Sequence, residues 1–278
     1  MNSLDKLTSF ILEEDNKPKK YNVLFTPRRV ERRIKDRLEW AKKILQQERV
    51  EGDIDLSYLS ITDIGNLKSI NGSLDLSHTH IADLGSLELV NGYLNLSYTN
   101  ITNLRSLRSV SGNLYLHDTP ITNLGSLESV GSDLYLYGTP IASLGSLKYV
   151  GGFLNLAYAA ITDLGSLELV SGNLDLWSAS IISLGSLKSV GGYLNLWDTP
   201  ITSLGSLESV GGSLILYDTP ITDLGSLKSI DGSLDLRSTP ITDLGSLQSV
   251  GDIFINKNSK LDINNIPEYL KNKIRIEY

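Results

Sequence analysis

Residues 191–210 read GGYLNLWDTPITSLGSLESV, and the same twenty-residue frame recurs ten times between Glu51 and Val250 without an insertion or deletion. The frame is x-G-x-L-x-L-x-x-T-P-I-T-x-L-G-S-L-x-x-V. A fixed period of this length marks a solenoid, in which each copy forms one coil stacked on the next. The residues before and after the array then serve to end it.

The coil 111–130, SGNLYLHDTPITNLGSLESV, shows how one copy folds. Leu114 and Leu116 alternate with Asn113, Tyr115 and His117, the period-two pattern of a strand with one buried face. Ile121, Leu124, Leu127 and Val130 point inward from the remaining sides. Gly112 and Gly125 mark corners that need a positive φ or a close backbone approach. Pro120 fixes one backbone angle and forbids a helix in the return segment. Six inward residues are too few to order twenty, so stability belongs to the stack rather than to the coil.

The eighteenth position of each coil offers an independent check on register. It reads Lys68, Glu88, Arg108, Glu128, Lys148, Glu168, Lys188, Glu208, Lys228 and Gln248, alternating in sign over nine coils. Coils stacked in register place each charge between opposite ones, which avoids like-charge contacts. Exposed pairs add little stability, so the ladder reads as register control. Duplication of a two-coil unit produces the same alternation.

The run Leu114-Tyr115-Leu116-His117-Asp118-Thr119-Pro120-Ile121 resembles the leucine-rich-repeat core L-x-L-x-x-N-x-L. Thr takes the usual Asn place in seven of ten coils, and Leu59, Ala159 and Ala179 replace it in the others. The segment Leu184 to Leu196 also resembles the receptor L-domain branch of that superfamily; in Leu124 to Leu136, Ser132 stands in the Gly place. The resemblance implies parallel strands on one side, short irregular segments on the other and a binding role for the strand face. A hydroxyl at the Thr position can supply part of the family's Asn ladder. Coils this short resemble bacterial and bacteriophage leucine-rich repeats, which fits a role in host–virus conflict.

The expected fold is therefore mostly β: a right-handed parallel β solenoid, leucine-rich-repeat or β-helix-like, of ten twenty-residue coils. At strand spacing it makes a nearly straight rod of about 45–50 Å. Residues 1–50 form a basic helical N-terminal cap, 51–250 the solenoid and 251–278 an α+β capping coil. A short helix is expected over 3–14, then a break at Lys17-Pro18-Lys19-Lys20. A longer helix starts at Thr26-Pro27 and reaches about Gln47, with Val30, Ile34, Leu38, Ala41 and Leu45 as its apolar stripe. After Val250, Ile253 and Ile255 read as a strand, Asn265–Leu270 as a helical turn or two, and Ile274, Ile276 and Tyr278 as a last strand.

Charge is divided along the chain. Residues 1–50 carry 13 Lys/Arg and 8 Asp/Glu, a net +5, and the remainder carries 12 and 24, a net −12. Arg28, Arg29, Arg32, Arg33, Lys35 and Arg37 make a basic face on the long helix. The plainer reading is a solvated face on a capping helix; the alternative is a contact with nucleic acid or an anionic membrane. The acidic solenoid argues against nucleic acid. No apolar run reaches the roughly 20 residues of a membrane span, and the N-terminal stretch lacks a signal-peptide pattern, so a cytoplasmic setting is expected.

Candidate function lies at the outward positions that the frame leaves free. The third, fifth and seventh positions collect Tyr93, Phe153, Tyr193, Tyr115, Tyr135, His117, Tyr137, Trp177, Trp197 and Tyr217. Asp118, Asp198 and Asp218 follow at the eighth, with Asp175, Asn155 and Asn195 at the fifth. An aromatic sheet over coils 4 to 9 is more than a monomer usually exposes without use, and Tyr and Trp beside carboxylates suit a protein partner. Stacking that merely stabilises the sheet is the alternative. The same face also suits a carbohydrate.

Catalysis is not expected. The chain has no Cys and only three His. His78 and His80 offer two metal ligands without a third. Asp198 and Asp218 are one ladder position taken twice on an open face, not a cleft pair. The aspartates at the thirteenth position lack a calcium-repeat signature. No cofactor is expected, and a protein is the expected partner.

Overall fold

The computed structural model describes residues 27–277, with side chains from residue 32 onward. The helix over 3–14, the break at Lys17–Lys20, the Thr26 cap, Tyr278 of the expected last strand and the side chains of Arg28, Arg29 and Val30 lie outside these. Helix α1 (Pro27–Ile44) begins at the expected proline. It ends three residues short of Gln47, where the chain turns into the first strand.

Stacked coils form a β-solenoid of about eleven turns. The strand expected in each coil is present but short, for example Leu134–Tyr135. These strands build a twelve-stranded parallel sheet from Ile54–Asp55 to the C-terminal strands Ile253–Asn256 and Ile274–Glu277. A second, ten-stranded parallel sheet runs from Arg49–Glu51 to Ser229–Ile230, through pairs such as Ser129–Val130. The repeat frame predicts strands on one side only, and the structure has them on two. The second sheet takes the nineteenth and twentieth positions, where a β-branched Val or Ile closes every coil.

Register is twenty residues through the ten coils: Leu134 faces Leu114 on one side and Leu154 on the other, and only the C-terminal strands depart from it, with Leu234 facing Ile253 and Ile253 facing Ile274. The charge ladder follows. Lys148 N donates to Glu128 O at 2.9 Å, and Glu168 N to Lys148 O at 3.0 Å. Lys228 Nζ lies 2.8 Å from Glu208 and Lys188 Nζ 3.8 Å from Glu168. The alternation begins earlier than the repeat frame shows, since Lys68 Nζ is 2.9 Å from Glu48.

The six inward positions form one continuous core; Leu114, Leu116, Ile121, Leu124, Leu127 and Val130 are all fully buried. Two turns shape each coil. At the first, the ninth residue's N–H donates to the sixth residue's carbonyl, as in Ala159 to Leu156 at 3.0 Å. The Thr hydroxyls donate to that same carbonyl within their own coil, Thr139 to Leu136 at 2.7 Å. They make no ladder between coils, which is why Leu59, Ala159 and Ala179 can stand in their place. At the second turn, the thirteenth side chain accepts the fifteenth N–H, as Asp223 accepts from Gly225 at 2.9 Å. The aspartates considered for calcium are therefore turn-formers.

The two expected glycine corners differ in cause. Gly125 has φ +61°. Gly112 has no such angle, but a Cβ there would stand 2.8 Å from the Gly92 backbone.

Both ends are covered. Ala41 is buried against the first coil, with Leu38, Ile44 and Leu45 packed beside it. Arg37 is drawn into the joint: it donates to the Asp55 carbonyl at 3.2 Å, Asp55 Oδ1 at 3.3 Å and the Ser57 carbonyl at 3.4 Å. At the far end a 3-10 turn (Ile263–Asn265) and helix α2 (Glu268–Lys271) bury Ile266 and Leu270 over the last coil.

Candidate functional site

The first turn decides what the outer face carries. Where the fifth residue is Asp or Asn it accepts the backbone N–H two residues on, as Asp175 does from Trp177 and Asn195 from Trp197, both at 3.1 Å. The seventh and eighth residues follow at the outer turn, also in the coils with Tyr115, Tyr135 or Ile215 at the fifth position. The eighth is left-handed in every coil, with φ between +51° at Ser178 and +63° at Gly138. Glycine would be the unstrained choice. Instead Tyr58, His78, Tyr98 and Tyr158 hold this conformation, at about 1–2 kcal/mol apiece.

Because both residues reach the same face, the chain needs only one ring per turn. The pairs read Ser57-Tyr58, Ser77-His78, Ser97-Tyr98, His117-Asp118, Tyr137-Gly138, Ala157-Tyr158, Trp177-Ser178, Trp197-Asp198 and Tyr217-Asp218. Every one of the first nine coils supplies one ring. Sequence reasoning found only those at the seventh position and so began the stripe at coil 4. The missed signal was this exchange of small and aromatic residues between neighbouring positions.

The rings stack along the rod. His78 lies between Tyr58 and Tyr98, 4.4 Å from each centroid, and Tyr98 meets His117 edge-on at 5.6 Å. Farther along, Tyr137, Tyr158, Trp177, Trp197 and Tyr217 follow at 4.8–5.6 Å. Trp177 and Trp197 are stacked at 5.4 Å and 23°. The tenth coil ends the series with a cation, Arg237 lying 5.6 Å over the Tyr217 ring.

A second row runs beside the first. Tyr93, Tyr115, Tyr135 and Phe153 contact in turn at 5.1–6.4 Å, and Phe153 meets Tyr193 at 6.4 Å. These rings are pinned at their tips, with Asn113 Nδ2 donating to the Tyr115 hydroxyl at 2.7 Å and the Tyr135 hydroxyl to Asp133 at 3.0 Å. Stacking thus does stabilise the sheet, by about 0.5–1.5 kcal/mol per pair. It does not hide the outer row: Tyr137 remains 52% exposed, Tyr98 49% and Trp197 42%.

Among the carboxylates of the eighth position, Asp198 accepts from the Ser178 hydroxyl at 2.8 Å, and Asp118 raises the Tyr98 hydroxyl above its ordinary value. Asp218 follows in the next rung, its backbone N–H donating to Arg237 O at 3.2 Å. Of the basic face, Arg32, Arg33 and Lys35 are exposed on α1, while Arg37 belongs to the joint with coil 1. Among the described residues no three His, Asp or Glu side chains converge as metal ligands. None of the described helices is long and apolar enough to cross a membrane.

The face carries a negative field that its phenols register. Burial lifts the hydroxyls of Tyr93, Tyr135, Tyr158 and Tyr193 above the ordinary value of 10.0, with neighbouring carboxylates adding to it. For Tyr98 the hydrogen bond to Asp118 is the main cause. A folded-state pKa above the unfolded one contributes stability that is whole below about pH 10 and is lost as pH rises through the raised values. Ultraviolet phenolate titration should show a late-titrating group of tyrosines, with the melting temperature falling over the same window. Titration of every tyrosine at the ordinary value with an unchanged melt would contradict this.

No family model, no curated protein and no solved structure matches this chain.

Proposed function

We propose that the chain is a non-enzymatic binding module of leucine-rich-repeat type, acting in the cytoplasm, that holds a protein partner on its aromatic face. The observation that carries this is the unbroken supply of one ring per turn over nine coils, with Tyr98, Tyr137 and Trp197 about half exposed. β-branched residues on the strands would stabilise a sheet without that exposure. Trp177, Trp197, Tyr137 and Tyr217 are the anchors, since large aromatic side chains carry most of the energy of protein interfaces. The short coils also favour a bacterial or bacteriophage origin and a part in host–virus conflict.

The test is Trp177→Ala combined with Trp197→Ala, both on the surface and outside the core. Retention of a partner from a host lysate should fall at least about tenfold, as expected for two lost hot-spot side chains. Unchanged retention would remove the aromatic face from the function.

A carbohydrate is the second reading, favoured by the paired indoles of Trp177 and Trp197 beside Asn195 and Asp198. Binding on a glycan array, lost in the same double variant, would select it. Contact of the basic helix with nucleic acid or anionic membrane is the third, narrowed by the commitment of Arg37 to Asp55.

A further inference from the structure

The two outer edges of the twelve-stranded sheet are unlike. In its first strand, Ile54 N donates to Ser73 O and Leu56 N to Asp75 O, both at 2.8 Å. The alternate residues Asp55 and Ser57 therefore turn their backbone groups away from the sheet. Those groups are taken. Arg37 Nη2 donates to the carbonyls of Asp55 and Ser57 at 3.2 and 3.4 Å, and Asp55 Oδ1 accepts Ser57 N at 2.9 Å. Helix α1 thus closes the sheet at this end as well as the core.

The far edge is left open. Ile253 N donates to Lys273 O at 2.8 Å, and Ile253–Asn256 pairs in parallel with Ile274–Glu277. Alternation directs the backbone groups of Arg275 and Glu277 to that neighbour and those of Ile274 and Ile276 to the free edge. Among the described residues no further strand pairs there. The Ile274 carbonyl is met by Arg275 Nη1 of its own strand, at 3.3 Å. Ile276 stands at the sixth frame position, where Leu136 and Leu156 are fully covered by the coils beyond them, yet it is half exposed. Arg275 and Glu277 flank it on the outer face with opposite charges.

We propose that this edge pairs with the same edge of a second copy of the chain, antiparallel about a two-fold axis through Ile276. An open edge is a template for another strand, and backbone, apolar and charged groups all fit this occupant. The N–H and C=O of Ile276 exchange with those of its counterpart, as in the hydrogen-bonded pair of an antiparallel sheet, with Cα atoms about 5.5 Å apart. The two isoleucine side chains cover one another. Arg275 stands opposite Glu277 of the second copy, and Glu277 opposite its Arg275. Moving the axis by one residue sets Arg275 against Arg275 or Glu277 against Glu277, and an axis between residues sets the outer face of one copy against the inner face of the other. Arg275 already lies 2.7 Å from Asp252, and Glu277 pairs with Arg237. Neither contact need break, because a carboxylate and a guanidinium both have further bonding positions. Asp252 and Arg275 of one copy then continue into Glu277 and Arg237 of the other, alternating in sign. Since Arg37 closes the opposite edge, the pairing is isologous and stops at two copies. It joins the two sheets with both aromatic faces on one side, whatever those faces bind.

The test uses sedimentation of the full chain and its variants, each checked by a circular-dichroism melt. The parent is expected to reach a particle of two copies, double the 30.5 kDa of the chain, and to grow no further. Arg275→Glu and Glu277→Arg each place like charges opposite at both crossings, and each alone should lose the two-copy species. Mixed one to one, they set opposite charges at both crossings and should recover it as a heterodimer. Ile276→Pro removes the N–H at the axis, which a single copy does not use and which an edge strand can spare; it should leave single copies with no change of charge. A parent that sediments as one copy at every concentration overturns the proposal. So does a two-copy species that survives Ile276→Pro, or a mixture of the two charge variants that stays monomeric while each retains the parent melt.

Discussion

Leu156→Ala is expected to cost about 2–5 kcal/mol and to break the cooperativity of unfolding. Leu156 is fully buried in the sixth coil, with Leu136 and Leu176 at the same position on either side. Its cavity cannot collapse, because Leu136 N is tied to Asn155 O at 2.9 Å and Leu156 N to Asp175 O at 2.8 Å. In a linear array each coil leans only on its neighbours, so a defect at the middle uncouples two halves. Urea unfolding followed by circular dichroism should then show two transitions, or one of lowered slope, against a single transition in the parent. Leu244→Ala, in the last full coil, should cost less, since an end can fray where a centre cannot. Equal costs and equal slopes at the two sites would mean that the array does not behave as a chain of neighbours.

A chain beginning at Glu48 is expected to associate end to end. It keeps the first strand, Arg49–Glu51, but loses α1 with its buried Ala41, the Arg37–Asp55 contact, and the Leu45 carbonyl that accepts Asn66 N at 2.8 Å. Ile54, Leu56, Leu59 and Ile64 would then face water, and each such side chain returned to burial is worth about 1.5–3 kcal/mol. The uncovered surface has the same shape as every internal junction. At the other end the strand Ile274–Glu277 is the last of its sheet, with Ile276 half exposed. Front-to-back pairing of two unlike ends is open and grows without closing. Sedimentation should show species that enlarge with concentration, while the full chain stays at one size. A truncated chain that remains monomeric with an unchanged melting temperature would show that α1 is not a cap.

The stack, its period and its core were legible because the constraint on them is repeated ten times. An inward Leu is the same Leu in each coil, and a charge at position eighteen needs the opposite charge twenty residues away. The second sheet was harder to read, since a two-residue strand such as Ser129–Val130 has no alternation to display, only its β-branched residue. The outer row was half read for a related reason. Position seven continues the strand alternation and so attracted notice at Trp177 and Trp197, whereas Tyr58, His78, Tyr98 and Tyr158 reach the same face only through a left-handed turn. Nothing in local propensity assigns tyrosine to that backbone. The double use of Arg37, basic in composition but spent on Asp55, depends on how a helix lies across the first coil, which the helix's own residues do not specify.

The strict sign alternation at position eighteen makes the rod a ruler with an even-numbered scale. Excising one coil would leave inward leucines matched across the scar but set one Lys beside a Lys, or one Glu beside a Glu, at the new junction. Excising two would restore the match. Recombination between repeats in this gene is therefore expected to add or remove coils by twos, lengthening or shortening the rod in steps of roughly 10 Å, while each step slides the residues of the aromatic face to a new distance from the ends.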